Sequence, residues 1–195
     1  MTYTSHMKQR RGEQTRARIA AAALEILRER GSAGLTMRRV AVRTGLALSN
    51  VQYHYGSREA LLVGLTDHHL ALCRDALVRG VERAGPVTLR AVLEVSLCDA
   101  EALASASAFR ELFALARTEP KVHERLVAHY QQGFSDMIGL LAQTWPSSPE
   151  DALAEVATIL LTSLEGSYLL ADVTPVTGRR LADRLEGVAV ALLGS

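Results

Sequence analysis

From Thr15 to Arg30 the apolar residues Ile19, Ala22, Ala23, Ile26 and Leu27 fall at i, i+3, i+4, i+7 and i+8, one stripe along a helix. Arg16, Glu25, Arg28 and Glu29 lie on the opposite face, and Gly31 and Gly34 end the helix as C-terminal caps. Thr36 stands as an N-cap before Met37–Arg43, a segment that Gly45 closes after barely two turns. A third short helix runs from about Ala47 to His54, with Ser49, Asn50 and Gln52 polar and Leu46, Val51 and Tyr55 able to face inward. Ser57 caps a long helix that begins at Arg58 and reaches about Arg79. Helical patterns then cover Leu89–Ala104, Ala106–Arg117 and Lys121–Gln143, with Pro120 tolerated at a first turn. Ser148-Pro149-Glu150-Asp151 opens a helix reaching about Ala171, a loop spans Asp172–Thr177, and a final helix covers Gly178–Leu193. No Asn-Gly or Asp-Gly hairpin signal and no sustained alternation occurs, so an all-α fold of about nine helices is predicted.

Composition narrows the class. With 195 residues, 48% hydrophobic and 22% charged, the chain has the apolar surface for one large domain or two small ones. Cys73 and Cys98 lack CxxC spacing, which argues against a disulfide framework or zinc knuckle and suits a reducing compartment. No stretch approaches the roughly 18 to 20 apolar residues of a membrane span. Met1–Arg18 is basic and polar, without a secretory core, so a cytoplasmic protein with no membrane partner is expected.

The net charge of +1 hides an asymmetry: residues 1–60 hold eleven basic groups against four acidic ones, +7, leaving −6 over residues 61–195. A basic third joined to an acidic remainder suggests two jobs in one chain, one of them binding a polyanion. Two short helices joined by a Gly-containing turn and braced by a longer one form a helix-turn-helix pattern. Spacing alone fits an ordinary three-helix segment equally well. The crowding of basic side chains, and polar groups on the third helix that can read base edges, favour DNA. The predicted division is a DNA-binding domain over 1–60 and a second domain over 61–195.

The run Thr36-Met-Arg-Arg-Val-Ala-Val-Arg-Thr-Gly-Leu-Ala-Leu-Ser-Asn-Val-Gln-Tyr-His-Tyr-Gly-Ser-Arg-Glu-Ala-Leu-Leu resembles the DNA-binding signature of TetR-family transcriptional regulators. The match covers roughly residues 14–64. It departs from the family pattern at Ala47, where a Ser cap is usual, at Gln52, where Tyr is common, and at Gly56-Ser57-Arg58, for Pro/Lys-Ser-Lys. The missing cap oxygen costs on the order of 1 kcal/mol. The resemblance implies a homodimer whose three N-terminal helices bind operator DNA and whose larger C-terminal domain binds a small-molecule effector.

The residues themselves fit that picture. Leu48, Ser49, Asn50, Gln52 and Tyr53 would meet the major groove, where Gln or Asn pairs bidentately with adenine. Thr36, Arg38, His54 and Arg58 would sit on phosphates, helped by the N-termini of the second and fourth helices. The Met1–Arg11 arm, with Lys8, Arg10 and Arg11, would add non-specific contacts or remain a disordered tail. Leu181, Leu185, Val188 and Leu192 form a narrow seam on the last helix. Val156, Leu160, Ser163, Gly166 and Ser167 give the preceding helix a face for close approach, and together these pack either a four-helix dimer interface or the chain's own core. Effector-pocket candidates are His68, His69, Leu72, Phe109, Phe113, Tyr130, Phe134, Met137, Trp145 and Tyr168, although for each of them ordinary core packing or surface exposure is the more common role. Adjacent His68 and His69 point about 100° apart on a helix, so neither a metal nor another cofactor is expected. On this reading an effector swings the long fourth helix and releases the protein, a repressor, from a pseudo-palindromic operator.

Two alternatives remain. One is a dimeric DNA-binding protein without an effector. The other is a helical-bundle enzyme, for which HExxH, ExxH pairs, GxSxG and GxxxxGK are all missing from the sequence.

Overall fold

The computed structural model describes residues 3–170 and 173–194. These form nine α-helices: α1 Tyr3–Gly34, α2 Met37–Thr44, α3 Leu48–His54, α4 Arg58–Ala84, α5 Leu89–Cys98, α6 Ala100–Ala116, α7 Pro120–Thr144, α8 Glu150–Leu169 and α9 Gly178–Leu193. The all-α expectation holds. Three boundaries differ. The first helix begins at Tyr3 rather than Thr15, taking most of the expected arm into regular helix; Met1 and Thr2 lie outside the described residues. Gly31 breaks its last turns with a left-handed φ of 62°. The gap between α5 and α6 falls at Asp99, whose backbone is extended and whose carboxylate meets Arg83 at 2.9 Å, and not near Ser105. At the other end of the chain, Ala171 and Asp172 lie outside the described residues.

The chain divides into two compact units. The first comprises residues 1–72 and 108–126, so it contains the whole helix-turn-helix segment together with the start of α4. Its core is built on the stripe Ile19, Ala23, Ile26 and Leu27 of α1. Against it pack Val40 and Ala41 of α2, Val51 of α3, Leu61, Leu62 and Leu65 of α4, Leu112 of α6 and Leu126 of α7.

The second unit, residues 73–107 and 127–195, packs α5, α8 and α9 around Leu89, Leu93, Leu97, Leu153, Val156, Leu160 and Leu185. Here the expected interface needs correction. Val156, Leu160 and Leu185 are 5% exposed or less, spent in the chain's own core. The buried stripe of α9 is Ala182, Leu185, Ala189 and Leu193, one position away from the predicted seam over most of its length. Small Ala182 and Ala189 face the neighbouring helices because α9 packs closely on α5, and this leaves Leu192 half exposed and Leu181 and Val188 partly buried. Ser163, Gly166 and Ser167 of α8 are partly buried, while Ile159 and Val190 are open to solvent.

Candidate nucleic-acid interface

The local chemistry of residues 35–57 fixes two short helices. The Thr36 hydroxyl accepts from the Arg39 N–H at 3.2 Å, the N-cap that the sequence predicts for α2. Gly45 ends α2 with a φ of 66°, a conformation that a side chain would strain. Leu46 N–H then reaches back to the Ala41 carbonyl at 3.1 Å, closing a Schellman turn that reverses the chain into α3. Ala47 gives α3 no side-chain cap, as its departure from Ser predicts.

A helix of seven residues does not persist alone in water, so tertiary contacts must hold it. Val51 is fully buried and Leu48 packs partly against the first core. Tyr55, just past the helix, is 3% exposed; its hydroxyl donates to the Arg16 carbonyl at 3.2 Å. The Arg16 guanidinium lies 4.5 Å from the centre of the Tyr55 ring and donates to the His54 carbonyl at 2.7 Å, capping the C-terminus of α3. Burial is the main influence on the Tyr55 phenol and raises its pKa. Arg18 does the same service for α2, donating to the Thr44 carbonyl at 2.6 Å. Sequence reasoning missed both arginines as structural clamps, because their partners lie 38 and 26 residues away.

With that face fixed, the opposite one is open. Ser49, Asn50, Gln52 and Tyr53 are exposed, Tyr53 to 83%, and the rings of Tyr53 and His54 stand edge to face at 5.2 Å. Thr36 and Arg38 are exposed at the start of α2. This surface offers hydroxyl, amide and phenol groups beside cationic ones, the set that combines base-edge hydrogen bonds with phosphate contacts.

Not every basic group here is available. Arg43 is held by Glu25 at 3.1 Å and by Glu29 at 2.5 Å; Arg39 donates to the Gly34 carbonyl and keeps its charge. The hydrogen bond from Arg43 holds the Glu29 carboxyl below its usual pKa. Arg58, expected on a phosphate, pairs with Glu119 at 2.5 Å, beside a Lys121–Glu59 pair of the same length. No group of three or more His, Cys, Asp or Glu among the described residues is arranged to hold a metal, and no described helix is long and apolar enough to cross a membrane.

The pocket candidates fall into two sets. In the first unit, His69 is fully buried with its ring 4.8 Å from that of Phe109, and Phe113 follows at 6.4 Å. His68 is partly buried, which lowers its pKa, and Leu72 is 42% exposed. In the second unit, Met137 belongs to the core, with Phe134 and Trp145 packed against it. Burial raises the pKa values of Tyr130, Glu165 and Tyr168, and the Tyr168 hydroxyl donates to the Ser96 carbonyl at 2.6 Å. Glu165 was not foreseen. Its signal was legible, since it is the only charged residue between Val156 and Leu170.

Comparison with known proteins agrees with the geometry of residues 35–57. A family model described as bacterial regulatory proteins, tetR family, matches residues 19–65. An uncharacterized helix-turn-helix-type transcriptional regulator from the dhlA 5' region of Xanthobacter autotrophicus is 32% identical over 178 residues, covering 89% of this chain and 87% of that one. A transcriptional regulator from Rhodococcus sp. Rha1 shares the fold with a TM-score of 0.67 at 21% identity, covering 92% of this chain and 94% of that one. A candidate transcriptional regulator from Saccharomonospora viridis, solved in complex with choline, matches with a TM-score of 0.70 at 16% identity, covering 93% and 96%.

Proposed function

Because the chain belongs to the TetR family of helix-turn-helix transcriptional regulators, which are not enzymes, we propose that it is a homodimeric, cytoplasmic repressor released from its operator by a small-molecule effector. The observation that carries the reading is α3: Val51 is fully buried while Ser49, Asn50, Gln52 and Tyr53 on the other side are exposed. A helix seven residues long with one side anchored and the other lined with polar donors fits the major groove. Gln52 and Asn50 read base edges, with Leu48, Ser49 and Tyr53 beside them; Thr36, Arg38 and His54 set the register on phosphates, which Arg58 joins only by leaving Glu119.

Dimerisation follows from the size of the reader. One such helix covers only a few base pairs, so two must act about one helical turn, roughly 34 Å, apart on a pseudo-palindrome. The exposed Ile159 and Val190, with partly open Ser163, Gly166, Ser167, Leu181 and Val188 and half-exposed Leu192, supply apolar surface for the mate. The effector reading is supported by the relative solved with choline and by α4, one unbroken helix from Arg58 to Ala84 that starts four residues after α3. An effector acts by favouring one of two positions of that helix, and only by binding the two unequally.

Selection of binding sites from random DNA with the purified protein tests this. Enrichment of an inverted repeat with half-sites about one turn apart is expected. Failure to enrich any sequence, or a single unrepeated half-site bound by a monomer in light scattering, overturns it.

A further inference from the structure

In the first unit, Arg58 is a cation held in a way that lets it be exchanged. It is the first residue of α4 and follows Ser57, whose hydroxyl accepts from the Ala60 N–H at 3.0 Å. A cation at that end of a helix gains nothing from the backbone dipole, which favours anions there. What Arg58 meets instead is the Glu119 carboxylate, at 2.5 Å. Glu119 sits in the turn between α6 and α7, with its backbone fixed on both sides. Its N–H donates to the Leu115 carbonyl at 2.9 Å, and its own carbonyl accepts from the Val122 and His123 N–H groups at 3.0 and 3.2 Å. Pro120, the first residue of α7, restricts it further. The carboxylate that binds Arg58 is therefore carried on a rigid turn.

The pair is weak beside its neighbour. The Arg43 side chain is 32% exposed and is gripped by both oxygens of Glu29 and by Glu25. Arg58 meets Glu119 through Nη1, and its side chain is 46% exposed. An exposed pair of this kind holds its partners by a factor of at most about five. A DNA phosphate offers the guanidinium two anionic oxygens together with release of a condensed counterion, so it can draw Arg58 away. The helices do not part when this happens. Glu59 of α4 and Lys121 of α7 pair beside it at 2.5 Å in the opposite sense, and Asp67 and Arg125 pair further along at 3.2 Å.

We propose that Glu119 is a built-in competitor of the DNA phosphate for Arg58, so that the turn between α6 and α7 sets how tightly the helix-turn-helix holds any duplex. The assignment rests on reading the first unit as the DNA-binding one. In the free protein Arg58 belongs to Glu119; on DNA the guanidinium moves to a phosphate and leaves the carboxylate without its partner. Binding is weakened by the parting of one such pair in each half-site. Because a phosphate contact carries no sequence information, the handicap falls on specific and random DNA alike and leaves base preference untouched.

The test uses the full-length protein and fluorescence anisotropy with the selected operator and a random duplex of equal length, over a range of salt. Glu119→Gln binds both duplexes more tightly, about fivefold for one half-site and up to about twenty-fivefold for two, and steepens the log–log salt slope by up to about 0.9 per half-site. Glu119→Asp keeps the charge on a shorter stem and suits the position before a helix; it gives part of that gain, which a mere loss of negative charge would not. In an Arg58→Ala background both gains vanish. Asp67→Asn, an equal charge change at the pair with Arg125, sets the size of the background field effect, and Glu119→Gln exceeds it. An unchanged melting temperature shows that the fold is intact; should Glu119→Gln unfold, Glu119→Asp decides by the same criterion. Wild-type affinity in both Glu119 variants, or an equal gain with and without Arg58, overturns the competition. If the wild type selects an operator and the variants bind no better, Glu119 alone loses its role; if neither wild type nor variant binds any duplex, the regulator reading falls and the competitor with it.

Discussion

Replacing Gly64 by alanine sets two opposed effects against each other on α4. Alanine favours the helix over glycine by about 1 kcal/mol. The new methyl, however, would sit 2.3 Å from Cε1, 2.8 Å from Oη and 2.9 Å from Cζ of Tyr55. Non-bonded carbons settle at about 3.5–4.0 Å, so the ring must retreat by more than an ångström. It has little room: Tyr55 is 3% exposed, its hydroxyl bonds the Arg16 carbonyl, and the Arg16 guanidinium lies over the ring. Overpacking of this kind costs about 1–3 kcal/mol, and the upper part of that range applies where the clash is with a buried ring. The net loss is therefore about 1–2 kcal/mol, a fall in melting temperature of roughly 2–8 °C for a chain of this length.

Function suffers more than stability, because Tyr55 follows directly on α3 and Arg16 holds both. Fluorescence anisotropy with the selected operator should show at least about tenfold weaker specific binding, about 1.4 kcal/mol, while affinity for random DNA changes little. In a Tyr55→Leu background, where the ring is gone, Gly64→Ala should instead stabilise by about 1 kcal/mol. If Gly64→Ala alone stabilises the wild type and leaves operator affinity intact, the close approach of α4 to Tyr55 does not fix the reading helix.

Three further outcomes are expected. Thr36→Ala removes the α2 cap and costs about 1 kcal/mol in denaturant unfolding, whereas Thr36→Ser costs little; equal losses would exclude the cap. Gln52→Ala changes base preference at one position per half-site, while Arg38→Ala weakens all sequences alike and lowers the log–log salt slope by about 0.9; identical profiles for both variants would refute the division into base and phosphate contacts. Because burial raises the pKa of Glu165 above its ordinary 4.5, the folded state binds that proton more tightly than the unfolded chain. The contribution of Glu165 to stability therefore rises as pH falls through the raised value and levels off near 4.5, and Glu165→Gln removes it; Tyr130 and Tyr168, both raised by burial, stay neutral in that window. An identical pH profile in Glu165→Gln would remove Glu165 as its source.

What the sequence discloses is what acts locally. The stripe of α1, the Thr36 cap, the Gly45 stop and the polar face of α3 are set by residues within a few positions of one another, and the structure has all of them. Which stripe of α9 the chain buries in itself was not legible, because Leu181, Ala182, Leu185, Val188, Ala189, Leu192 and Leu193 allow more than one apolar stripe. Which stripe is buried depends on the closeness of α5, and no helix announces that of its neighbour. The same holds for Arg16, which reads as a solvent-facing residue until the fold brings His54 and Tyr55 to it. Glu165 is the opposite case: a lone charge in an apolar helix is visible, but its company of Tyr130, Tyr168 and Ser96 is not.

The basic charge of the first sixty residues also takes a different meaning once its partners are known. Arg43 is neutralised by Glu25 and Glu29, and Arg58 by Glu119, so these contribute less field toward DNA than a count of residues suggests. Arg16, Arg18 and Arg39 keep their charge, because a carbonyl accepts a hydrogen bond without cancelling it. They thus serve twice, capping the short helices and remaining positive beside them. A free lysine or arginine on a flexible stem would supply the same charge, at an ordering cost of up to about 2 kcal/mol of side-chain entropy on binding. Arginines already fixed by carbonyls at 2.6–2.7 Å have met that cost in folding, so a phosphate that approached them would not impose it again.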